Sequence, residues 1–201
     1  MESKGETTIE EEFEKRENKK NEAIDLIIYI GVLVLLSFLI VTFIGQRTVV
    51  SGDSMNDTLH NGDSLLIDKI SYRFSDPKRF DIVVFPKPTD PKVYYIKRII
   101  GLPGETVQIS SDGTIYIDGK ELKENYGKAV IIDPGRAVEP VKLGKDEYFV
   151  MGDNRNNSLD SRFYEVGNIK RSAFIGRTIV RIYPFNQIRS LIPKDRGKAV
   201  K

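Results

Sequence analysis

With 201 residues, 40% of them hydrophobic and 30% charged, the chain holds one globular domain plus terminal extensions and no second large domain. A net charge of +2, with no dense Lys/Arg stripe among aromatics, removes nucleic acid from the expected partners. The absence of cysteine excludes disulfides, thiolate zinc sites and cysteine nucleophiles, and His60 is the single histidine.

Residues 1–22 contain eight Glu and five Lys/Arg, the composition of a solvated tail. Residues 26–44 then run for 19 positions without a charge, close to the ~20 needed to cross a bilayer core, so residues 23–45 are expected to form a single transmembrane helix. A cleaved signal sequence fits worse, because its apolar core is shorter and a small-residue cleavage site follows it. Lys15, Arg16, Lys19 and Lys20 precede the segment, whereas Arg47 alone follows before Lys69. The positive-inside rule therefore places the N-terminus in the cytoplasm and residues 46–201 outside the cell membrane.

The outer part reads as mostly β. Short runs rich in Val, Ile, Tyr and Phe at 64–67, 81–85, 93–100 and 178–183 are split by Gly, Pro, Asn and Asp, as strands are. Residues 107–110 and 114–117 flank Asp112-Gly113, and Asp118-Gly119 follows, which predicts a hairpin with tight glycine turns. No run of helical periodicity competes, and no internal repeat is present.

Three segments carry polar groups suited to chemistry. Ser51-Gly52-Asp53-Ser54-Met55 begins a few residues past the apolar segment. A serine behind Gly-Asp can stand on a turn with its hydroxyl exposed and its N–H free to hold an oxyanion. These residues are also ordinary turn formers. In the second segment, 94–104, period-two alternation puts Tyr95, Lys97 and Ile99 on one strand face and Ile96, Arg98 and Ile100 on the other, so one of the two cations is expected among apolar side chains. A lysine serves as a base only when burial lowers its pKa by a few units, and arginine cannot serve. The third segment, 152–162, is a dense polar loop. Its spacing suggests calcium, but Arg155 occupies a ligand position, Ser158 stands at the required glycine and Tyr164 at the bidentate glutamate. Calcium is rejected, and no metal is expected. His60 sits before an Asn61-Gly62 turn and makes a poor triad base beside Ser54, so a hydrolase here is expected to use a base other than imidazole.

In order, S-G-D-S-M…T-L, R-F-D-I-V-V-F, Y-I-K-R-I-I-G-L-P-G-E and G-D-N-R-N-N-S-L-D-S-R resemble the successive sequence boxes of bacterial type I signal peptidases. The resemblance covers essentially the whole chain after the apolar segment, and a membrane anchor with its N-terminus inside also fits it. It implies an antiparallel β-sheet domain of the signal-peptidase type, with Ser54 as nucleophile and Lys97 as general base, needing no cofactor or metal. It also implies that the Ser54 N–H is an oxyanion donor and that Ser158 hydrogen-bonds the lysine amine. Asp160, Arg162, Arg98 and Asp153 would pair to brace the site, and Met55 would line a substrate pocket. The implied substrate is a preprotein whose signal peptide carries small residues at the first and third positions before the cut.

Two departures stand out. Gly52 offers no hydroxyl where some relatives have one, and Asp57 replaces a proline common in relatives; its carboxylate is expected to point outward. A Ser/Lys self-cleaving repressor would instead bring a soluble chain with an N-terminal helix-turn-helix domain. The alternative from another class is a weak or inactive relative acting as a tethered binding or assembly module, which Asp57 keeps open and the intact Ser54, Lys97 and Ser158 oppose.

Overall fold

The computed structural model describes residues 21–37, 45–127 and 129–195, and contacts divide the chain into two compact units at residues 44 and 45. In the first unit, residues 21–37 form helix α1. Its apolar side chains from Ile24 to Leu36 are exposed on every face, so the helix buries nothing within its own unit. Of the expected membrane segment 23–45, residues 38–44 lie outside the described residues, as do residues 1–20 of the charged tail. Among the described residues no helix is long and apolar enough to cross a membrane, since the apolar run continues past residue 37.

The second unit is mostly antiparallel β, as expected. Strands β1 (Gly45–Val49), β2 (Ser64–Asp68), β3 (Ile82–Lys87), β4 (Asp90–Gly101), β9 (Glu147–Met151), β10 (Ile169–Lys170), β11 (Gly176–Tyr183) and β12 (Arg189–Ser190) make the larger sheet. Its order is β1-β2-β11-β3-β4-β9-β10, with β12 on β11. Strands β5 (Thr106–Ile109), β6 (Ile115–Ile117), β7 (Lys120–Glu121) and β8 (Val141–Lys142) make a second sheet in the order β7-β6-β5-β8. The predicted hairpin is β5–β6, with Val107 opposite Ile117 and Gly113 at φ +85°. Asp118 and Gly119 both take positive φ between β6 and β7, the backbone that a two-residue turn needs to follow strand twist. Strand β1 and the short helix α2 (Ser71–Phe74) carry no sequence signal strong enough to predict them.

An antiparallel sheet commonly keeps one face wet, but here β3 and β4 are covered on both. Val83, Phe85 and Ile99 pack with Tyr148, Val150 and Ile169 on one side. Ile82 packs with Val50, Met55, Leu59, Leu65 and Leu191, and Ile100 with Val107, Ile109, Phe149 and Met151. Double coverage explains why 82–85 reads as an unbroken apolar run. Each such side chain contributes about 1.5–3 kcal/mol by leaving water.

Candidate active site

Four chain segments converge at the middle of β4. The turn after β1 carries Ser54, β4 carries Lys97, and the loop after β9 carries residues 152–162; the C-terminal strand β12 packs behind the turn. The sequence expected one buried cation on β4; the structure buries both, Lys97 at 3% exposure and Arg98 at 2%. The difference follows from the doubly covered sheet, which period-two alternation cannot reveal.

Lys97 Nζ lies 2.6 Å from Ser54 Oγ and 5.0 Å from the centre of the Tyr95 ring. Burial pushes the lysine down from 10.5 to about 8, opposed by the Asp160 and Asp153 carboxylates and assisted by Arg162. The buried environment therefore outweighs the two nearby carboxylates. At pH 7 about one molecule in ten then holds a neutral amine, against one in a few thousand for an unperturbed lysine. Asp57 is exposed, in line with a carboxylate that points outward; the Asn56–Asp57 peptide is cis.

Arg98 projects to the opposite face. Its guanidinium meets the wholly buried Asp153 in a two-point ion pair, Nε to Oδ1 at 2.8 Å and Nη2 to Oδ2 at 2.6 Å. It also donates to the Phe80 carbonyl at 2.9 Å and stacks 3.8 Å from the centre of the Tyr126 ring. Arg162 and Asp160 form a second buried two-point pair, both contacts at 2.9 Å. Asp160 Oδ2 further accepts from the Gly152 N–H at 3.0 Å and the Ser158 hydroxyl at 2.8 Å. Ser158 thus points at Asp160 rather than at the lysine amine, whose hydrogen bond goes to Ser54. Met55 is buried at the floor of a groove of about 490 Å³ that also holds Ser54 and Lys97.

Several contributors escape sequence reasoning. A Cβ on Gly152 would lie 2.3 Å from Ser158 Oγ and 2.4 Å from Ser54 O, so only glycine lets the polar loop close on the Ser54 turn. Arg155 pairs with Glu124 at 2.8 Å and donates to the Gly152 carbonyl at 3.1 Å. Behind the turn, Arg189 donates to the Thr58 carbonyl at 2.5 Å, while Leu191 packs with Met55 and Leu59. Val49, Val93, Tyr94 and Leu159 wall the groove. Its two long sides are strand edges. Among the described residues strand β1 pairs only with β2 and β9 takes only the 98–101 end of β4, so the edge of β4 near Tyr94 to Ile96 is open. Among the described residues no cluster of His, Asp or Glu is arranged to hold a metal ion.

Residues 23–183 match the family described as signal peptidase, peptidase S26. A signal peptidase I of Leptolyngbya laminosa is 42% identical over 171 residues, covering 82% of this chain and 81% of that one. A signal peptidase I of Bacillus licheniformis is 39% identical over 183 residues, covering 88% and 97%. Among solved structures, a signal peptidase I of Enterococcus faecalis is 34% identical and covers 51% of this chain and 97% of its own, with a TM-score of 0.41. With the Ser54 turn, β4 and the loop after β9 brought together and a family match that runs through all three, the chain belongs to the S26 signal peptidases.

Proposed function

We propose that this serine endopeptidase removes signal peptides with Ser54 as nucleophile and Lys97 as general base. The observation that carries the assignment is the 2.6 Å contact between Lys97 Nζ and Ser54 Oγ at a lysine held near pKa 8. The neutral amine takes the Ser54 proton as Oγ attacks the scissile carbonyl, and the resulting ammonium protonates the leaving amine. In the second half the amine activates water against the acyl-enzyme. The Ser54 N–H faces the developing oxyanion. Asp160 and Arg162, with Arg98 and Asp153, hold the loop and turn in place, and Ser158 acts on the lysine through Asp160.

The signal peptide of a preprotein binds extended between the edges of β1 and β4, adding main-chain hydrogen bonds and directing alternate side chains into the apolar groove. Met55 at the floor limits the residue beside the cut to a small one. Residues 23–45 serve as a single membrane span, with residues 1–22 cytoplasmic and 46–201 extracytoplasmic. The support is the uncharged run of residues 26–44 and the exposed apolar side chains of α1, which a bilayer would cover. The anchor confines enzyme and signal peptide to one surface and raises their effective concentration.

Cleavage of a preprotein in liposomes tests the reading. Ser54→Ala and Lys97→Ala each lose at least about a thousandfold in kcat while remaining folded, as removal of a nucleophile or its base does. Lys97→Arg fails too, because a guanidinium stays protonated. Retained activity in either alanine variant refutes the mechanism.

A further inference from the structure

Both carbonyls that flank the nucleophile's Cα are held by one residue, Asn154. Its backbone N–H donates to Ser54 O at 3.0 Å and its side-chain Nδ2 donates to Asp53 O at 3.1 Å. From within the turn, the Asn56 N–H reaches the same Asp53 oxygen at 3.1 Å. The Asp53–Ser54 peptide is not among the cis bonds of the chain, and in a trans peptide the N–H points opposite to the carbonyl. Fixing Asp53 O against Asn154 therefore fixes the direction of the Ser54 N–H.

That N–H finds no acceptor among the described residues. Gly52, at φ +97°, supplies no hydroxyl beside it. A lone donor stabilises an oxyanion only while it is aimed at where charge develops, since hydrogen bonds weaken steeply as they bend. Asn154 is itself well held. The Asn157 N–H donates to its carbonyl at 2.9 Å, Asp153 before it is locked to Arg98, and Gly152 admits the loop against Ser54 O.

We propose that the Asn154 carboxamide is a positioning group for oxyanion stabilisation, orienting the Ser54 N–H by gripping the carbonyl of the same peptide. The inference rests on Ser54 being the nucleophile, and the test separates the two. In Asn154→Ala the backbone N–H still holds Ser54 O, while Asp53 O loses the side-chain donor and keeps only the Asn56 N–H. In preprotein or peptide cleavage, kcat falls about tenfold, less than the ~10²–10³ lost with a whole oxyanion donor. KM stays within twofold, and the pH midpoint of kcat/KM stays where wild type has it.

A peptide aldehyde, whose hemiacetal oxygen takes the oxyanion position, loses affinity by the same factor as kcat, whereas the matching peptide alcohol keeps its affinity. The isosteric Asn154→Asp, which lacks the donor, behaves the same or worse and carries the test if the alanine variant does not fold. Unchanged kcat in both variants overturns the proposal, as does equal loss of affinity for aldehyde and alcohol. Ser54→Ala is run alongside: if it keeps activity, the nucleophile assignment falls; if it is inactive while Asn154→Ala is fully active, only the role of Asn154 falls.

Discussion

Two clefts of the β unit are lined by basic side chains, and they treat the charge in opposite ways. The cleft of about 420 Å³ beside α2, lined by Lys69, Tyr72, Arg73 and Arg171, leaves its cations near water. Arg171 there pairs at 3.1 Å with Asp76, and the two side chains are 39% and 84% exposed. The groove at Ser54 places Lys97 under the sheet's own cover and surrounds it with ion pairs that are themselves buried. The number of cations is no guide to chemistry; withdrawal from water is, because it makes a lysine basic at usable pH and makes each pairing obligatory.

The contrast can be broken at its strongest point first. Arg98→Ala leaves the Asp153 carboxylate buried without a partner and should cost about 3–5 kcal/mol in urea unfolding; a loss below about 1 kcal/mol would mean that the pair does not brace the site.

Next in size is a gain. Moving the lysine from 10.5 to about 8 corresponds, at about 1.4 kcal/mol per unit, to roughly 3 kcal/mol of destabilisation while the amine is charged. Lys97→Met should therefore raise stability at pH 7 by a few kcal/mol while abolishing activity. The sign with pH follows. Between about 8 and 10.5 the unfolded chain binds the proton that the folded lysine has released, so wild-type stability from this group rises with pH. The advantage of Lys97→Met should shrink accordingly on going from pH 7 to pH 10. A constant difference would contradict the depressed value.

Smallest of all, Asp76→Ala should change stability by less than about 1 kcal/mol, since an exposed pair gains little. A loss of several kcal/mol there would erase the distinction between the clefts.

What the sequence made legible was local. The strands around 64–67, 81–85 and 93–100 and the turns at Gly113 and Asp118-Gly119 announce themselves by alternation and by residues that accept positive φ. The choice of Ser54 and Lys97 as the proposed reacting pair comes from four segments in register that resemble one family. The missing parts are those fixed by contacts between distant residues. Nothing near Arg98 in the chain tells that both faces of β4 are covered. The grip of Asn154 on Asp53 spans 101 positions and that of Arg189 on Thr58 spans 131. Gly152 opens the polar loop with nothing local to mark it, yet the approach of Ser54 O requires glycine there. The family resemblance implies a bond from Ser158 to the lysine, whereas in the structure its hydroxyl meets Asp160, two residues along its own loop.

In the proposed mechanism, burial converts Lys97 into the base that activates Ser54. The pH dependence of kcat/KM for preprotein cleavage tests it most directly. With the lysine near 8, the rate should climb about tenfold per pH unit below that value and level off above it. A rate that keeps rising without a break to pH 10 would contradict the claim.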